Sequence, residues 1–158
     1  MDRTRSRPAA LFTDRRDTEP ACVRVSGPPL AAVVFDHTAL LTLGAGNRRL
    51  SGLVAQAHLQ PGRYAYAPAL CLTAAIAQRP GLADHIGVLP VMQVIDLDYA
   101  AAATVGSFIA TGVDWRAAHA INAGRPTADW PTGRPVLTTT PEIYSDWGIT
   151  IISVGDDD

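Results

Sequence analysis

Lysine is absent: all 13 basic residues are arginine. With the abundant alanine, proline and glycine, this is the bias a GC-rich coding sequence produces, and it carries no functional weight. Cysteine is nearly absent. Cys22 and Cys71 are the only two, no Cys-x-x-Cys occurs, and Cys71 sits in the apolar run Ala69-Leu70-Cys71-Leu72. Neither a zinc site nor a redox motif is thereby supported, and a reducing compartment fits. Aromatics make up only 6% of the chain, so the core must be built from Ala, Val, Leu and Ile. No segment approaches the ~20 apolar residues of a membrane span. The only apolar patch near the start, Ala9 to Phe12, is far short of a signal peptide core, and the expected location is the cytoplasm. Neither GxxxxGK[ST] nor GxSxG occurs, and Gly44-Ala-Gly46 lies too far beyond any strand for a dinucleotide loop. The four histidines show no paired-ligand spacing.

What is present is a chain of 158 residues, 47% hydrophobic and 18% charged, which suits one packed domain. Its charge is uneven. Residues 1–29 hold six arginines against four acids, a net of +2, while the remainder holds seven against eleven, a net of −4. With four prolines and no sustained period, 1–29 reads as a disordered Arg- and Pro-containing tail. The domain covers 30–155, and 156–158 form an acidic end.

Leu30 to Phe35 is a continuous apolar, β-branched run of the kind buried on both faces in a parallel sheet. Helical signals follow over Thr38–Leu43 and Arg48–Gln60, then a strand at Tyr64–Tyr66 and a helix opened by Pro68 and running to Gln78. A short helix at Leu82–Gly87 and a strand at Val91–Leu97 precede an Ala-rich helix capped by Asp98 and reaching Ala110. Asp114 stands before a helix over Trp115–Ala123, and strands are expected at Pro135–Thr138 and Thr150–Val154. This alternation predicts an α/β fold: a doubly wound parallel sheet of about five strands flanked by helices.

Ligands in such sheets gather outside the carboxyl ends of the strands, near the switch in strand order. Two segments end there in polar residues, Val33-Val34-Phe35-Asp36 and Val136-Leu137-Thr138-Thr139-Thr140. Asp114 can join them, because acids are favoured at helix N-termini. Two such carboxylates suit Mg²⁺ or Mn²⁺, hard ions that want oxygen ligands. The plainer reading is a turn at Asp36 and a helix cap at Asp114. His37 borders the region, His119 reads as packing within its Ala-rich helix, and Arg116 and Arg125 are surface residues able to face a polyanion.

Three segments resemble the PIN nuclease family. Leu30-Ala-Ala-Val-Val-Phe-Asp36-His-Thr38 looks like its opening strand, metal-binding Asp and small polar residue two positions on. Asp114-Trp-Arg-Ala-Ala-His-Ala120 resembles the later Asp-x-x-x-Ala-x-Ala helix. Val136-Leu-Thr-Thr-Thr-Pro-Glu-Ile-Tyr144 resembles the following strand and loop, where a Thr-x-Asp precedes an aromatic. Order and spacing agree over about 30–154. The departures are equally specific: the stretch Pro68 to Ala75 lacks the family's Glu, and Thr140 stands in place of the last Asp.

The resemblance implies a three-layer sandwich and Mg²⁺- or Mn²⁺-dependent cleavage of an RNA substrate, as in the toxin-type ribonucleases of toxin-antitoxin pairs. Asp36 and Asp114 would be catalytic metal ligands, with Glu142 as a substitute acid, and Thr138, Thr139 and Thr140 would position phosphate. It also implies an antitoxin-like protein partner and a homodimer. Two lost carboxylates imply a weakly held ion. The alternative is a catalytically degenerate PIN-like domain serving as an RNA-binding or protein-interaction module.

Overall fold

The computed structural model describes residues 31–155. The tail and the acidic end read from the sequence lie outside the described residues. β1 (Ala32–Phe35) is at most 6% exposed at any position, as its unbroken apolar run demands. It leads into α1 (His37–Gly44) and α2 (Arg48–Leu59), then β2 (Tyr64–Pro68), α3 (Ala69–Gln78) and α4 (Leu82–Gly87). β3 (Met92–Ile95), α5 (Tyr99–Ala110), α6 (Trp115–Gly124), β4 (Val136–Thr138), a 3₁₀ helix (Pro141–Trp147) and β5 (Ile151–Ser153) complete the chain.

The five strands form one sheet in the order β3-β2-β1-β4-β5, every pair parallel. Helices flank it, in the α/β doubly wound arrangement that the sequence predicts. The chain leaves β1 on one side for β2 and β3, then returns to place β4 on the other side of β1. The switch point is therefore the crevice beyond the carboxyl ends of β1 and β4. Phe35 pairs with Leu137 there, and the Asp36 amide donates to the Leu137 carbonyl at 3.2 Å.

Small residues let the layers approach. α6 buries Ala117, Ala118, Ala120 and Ala123 together with Ile121, so it is enclosed almost all round. Its last residue, Gly124, lies so close to β4 that a Cβ would stand 2.9 Å from Val136 Cγ2. Among the described residues no helix is long and apolar enough to cross a membrane. The strand and helix bounds depart from the sequence expectation by at most two residues at either end. The 3₁₀ helix was unforeseen: Pro141 starts it and Gly148, at φ +62°, ends it.

Candidate functional site

Asp36 is extended (φ −74°, ψ −179°), so it ends β1 and caps α1, its Oδ1 accepting from the Ala39 amide at 2.8 Å. The same oxygen accepts from the Thr38 hydroxyl at 2.7 Å, and Oδ2 accepts from the Tyr144 hydroxyl at 2.8 Å. The residue has no exposed surface. Three donors thus surround a buried carboxylate, which is how an anion removed from water is made tolerable.

A line of hydroxyls continues from it. Thr38 Oγ1 lies 3.3 Å from Thr138 Oγ1, which lies 3.3 Å from Thr140 Oγ1. A hydroxyl has one proton to give. Since Thr38 gives its own to Asp36, Thr138 donates to Thr38 and Thr140 to Thr138. Backbone amides brace the row, Thr139 donating to Thr38 Oγ1 at 2.9 Å and Thr140 to Thr138 Oγ1 at 3.0 Å. The Thr138 and Thr140 hydroxyls therefore point into this relay toward the carboxylate. The Thr139 side chain is half-buried, with no hydrogen bond to the described residues.

Asp114 caps α6. Its Oδ1 accepts from the Arg116 amide at 2.9 Å and from Arg116 Nε at 3.3 Å, and both side chains are 44% exposed. Such an exposed pair contributes ~0–1 kcal/mol. The charges of Asp36 and Asp114 both act on the His37 imidazole and the Tyr144 phenol. Burial lowers the His37 pKa below its ordinary value; the Arg116 guanidinium adds to this and the two carboxylates oppose it. His37 Nδ1 is buried without a hydrogen-bond partner. Burial, and after it the Asp36 carboxylate, pushes the Tyr144 phenol far above its usual range, so it remains a donor at all ordinary pH. The Cys71 thiol is likewise pushed up, by burial first and Asp36 second, and donates to the Arg116 carbonyl at 3.3 Å. It is not a nucleophile.

Of the residues picked out from sequence, hydrogen bonds through Thr38 bring together Asp36, Thr138 and Thr140 at the switch point, whereas among the described residues Asp114 is hydrogen-bonded only within its own helix start. Glu142 is exposed on the 3₁₀ helix, and its carboxylate makes no hydrogen bond to the described residues. Among those residues no three His, Cys, Asp or Glu side chains converge as a metal cage would need. Asp36 has no exposed surface and both of its oxygens already accept hydrogen bonds, so the carboxylate is not presented to a hard divalent cation. The donor set as arranged does not fit such an ion. Sequence reasoning missed Tyr144 as a participant. The signal was there, an aromatic just past the strand-end threonines, but nothing in the spacing says that its hydroxyl reaches back to β1.

Compared with known proteins, the chain matches no family model, no curated protein and no solved structure.

Proposed function

We propose that this chain is a PIN-like domain without nuclease turnover that acts as a protein-interaction module, its acidic crevice kept as a structural hub. The observation that carries the reading is the filled shell of Asp36: full burial and three donors, with Tyr144 on the oxygen that a metal would need. Asp114 is engaged by Arg116.

Exposed apolar side chains favour a protein over RNA as the partner. Leu97, Tyr99 (91%), Trp115 (42%) and Ile143 are exposed on the segments leading into or within α5, α6 and the 3₁₀ helix. Acids Asp96, Asp98, Asp114, Glu142 and Asp146 lie on the same segments. Exposed apolar side chains beside charged ones mark interaction surfaces, and on these segments the acids outnumber the one arginine, Arg116, a balance that disfavours a polyanion. The partner is a protein with apolar anchors and basic residues, an antitoxin-like polypeptide being one such class and a second copy another. A cytoplasmic setting belongs to the same proposal.

A photocrosslinking residue at position 99, in full-length protein in its native host, tests the reading. One discrete crosslinked protein species is expected, absent when the same residue stands at position 59 and lost in Trp115→Arg. Crosslinks to RNA alone, or equal labelling from both positions, would contradict it.

A second reading, weak metal-dependent RNA cleavage, is favoured by one observation only: Asp36 stands at the carboxyl end of β1, at the switch point of the sheet. Asp36-dependent cleavage of an RNA pool would establish it.

A further inference from the structure

Two arginines meet in the connection from α6 to β4. They line a cavity of about 240 Å³ with Asn122 and Thr127, while Ile95 and Thr104 close it from β3 and α5. No carboxylate lines this cavity. Among the described residues neither Arg125 nor Arg134 has an acidic partner within ion-pair distance; Asp129 lies in the same connection but outside the lining.

Arg134 is held rigidly. Its Nε donates to the Ala123 carbonyl at 2.9 Å, and its guanidinium lies 4.8 Å over the Tyr66 ring. Arg125 lies 5.7 Å over the Phe108 ring. Half-burial lowers the Arg134 pKa from its ordinary value, the mark of a cation partly stripped of water. The Tyr66 face and the carbonyls at the end of α6 offset part of that charge. They engage one face of the guanidinium and its Nε, and the Tyr66 hydroxyl lies near enough to act on it as well, so the donors that remain on its terminal nitrogens are those that can meet an oxyanion.

Next to the cavity stands an aromatic wall. Tyr66 stacks on Tyr64 at 6.1 Å, and Tyr64, 38% exposed, meets Trp130 edge-on at 6.1 Å. Thr127, which lines the cavity, fixes that wall: its Oγ1 accepts from the Trp130 amide at 3.1 Å and its own amide donates to the Trp130 carbonyl at 3.0 Å. Gly133, at φ +76°, closes the same loop by donating to the Trp130 carbonyl at 2.8 Å.

We infer that this is a nucleotide site in which Arg125 and Arg134 take the phosphate and Tyr64 and Trp130 take the base. The volume sets the division of labour. It is below the ~300–1,000 Å³ of pockets that enclose a whole drug-sized ligand. The cavity therefore admits a phosphate and part of a sugar, and the base lies outside on the aromatic wall, as bases do on single-strand binding surfaces. The phosphate is that of a free nucleotide or of the 5′ end of a single strand. The site is separate from Asp36 and does not rest on the partner-binding reading.

Isothermal titration of the full chain at low salt, with AMP, adenosine and inorganic phosphate as probes, tests it. AMP is expected to bind, weakening with added salt, and at least about tenfold more tightly than adenosine, since charge-assisted hydrogen bonds carry the affinity. Arg125→Gln, at an exposed position, should weaken AMP about tenfold or more with an unchanged circular dichroism spectrum, and Trp130→Ala should weaken AMP but not inorganic phosphate. Arg134→Lys separates charge from fork geometry, and a loss of AMP binding in a folded Arg134→Lys variant supports the forked contact. A 5′-phosphorylated tetranucleotide that binds more tightly than AMP, and loses this without its phosphate, would support the site and assign it to strand ends. No AMP binding by folded protein, equal affinity for AMP and adenosine, or AMP binding untouched by Arg125→Gln would overturn the inference.

Discussion

Replacing Tyr144 by Phe removes one oxygen atom and tests the organisation of the crevice. The Tyr144 hydroxyl donates at 2.8 Å to Asp36 Oδ2, both residues have at most 1% exposed surface, and no other hydrogen bond to that oxygen is made among the described residues. The ring still fills its space in the variant, so no cavity opens, and the change isolates the hydrogen bond. A bond to a charged group is worth ~1.5–3 kcal/mol, and leaving the carboxylate oxygen unsatisfied falls in the same range. Against a total stability of ~5–15 kcal/mol for an ordinary domain, that is a large fraction. In urea, with a slope of about 2 kcal/mol/M, the midpoint should fall by roughly 1 M at unchanged slope. Tyr99→Phe, at a 91% exposed position, is the control and should stay within about 0.5 kcal/mol of wild type. A double-mutant cycle with Asp36→Asn should show a coupling above about 1 kcal/mol. A Tyr144→Phe protein as stable as the control, or a coupling near zero, would refute the claim that Tyr144 satisfies a buried anion.

The remaining expectations concern packing and pH. Gly124→Ala places its methyl against Val136 Cγ2 and 3.3 Å from the Arg134 carbonyl, and overpacking of this kind costs ~1–3 kcal/mol, read by thermal or urea unfolding. Gly133→Ala should cost at least as much, because φ is +76° and the methyl would also meet the Gly124 carbonyl. Burial lowers the His119 pKa below 6.5, with Asp98 opposing, so the unfolded chain binds more protons and stability declines as pH falls below that value. His119→Gln should flatten that part of the stability profile; an unchanged slope would show that His119 does not titrate with unfolding.

The pattern of apolar runs was enough to place all five strands and six helices, because a buried parallel strand such as Ala32–Phe35 and a capped helix such as Tyr99–Ala110 are specified locally. Strand order was not legible. It depends on which side of β1 the returning chain takes, a choice made by packing among the helices and β4. At the site, Asp36 and the threonines after β4 could be placed from their positions at strand ends. Their roles could not. Whether a strand-end carboxylate binds a ligand or satisfies the fold depends on donors distant in sequence, and Tyr144 is 108 residues away. The same limit applied to Arg134: its position before β4 says nothing of Tyr66 beneath it or of the cavity that it shares with Arg125.

The claim that the Asp36 crevice is a structural hub and not a metal-dependent nuclease centre is tested most directly by titrating purified full-length protein with Mn²⁺ while following cleavage of an RNA pool, in wild type, Asp36→Asn and Tyr144→Phe. Wild type should show no saturable heat and no cleavage above the Asp36→Asn background, and Tyr144→Phe, with one carboxylate oxygen released, should bind Mn²⁺ at least as well as wild type. Saturable Mn²⁺ binding by wild type, together with cleavage that Asp36→Asn abolishes, would contradict the account.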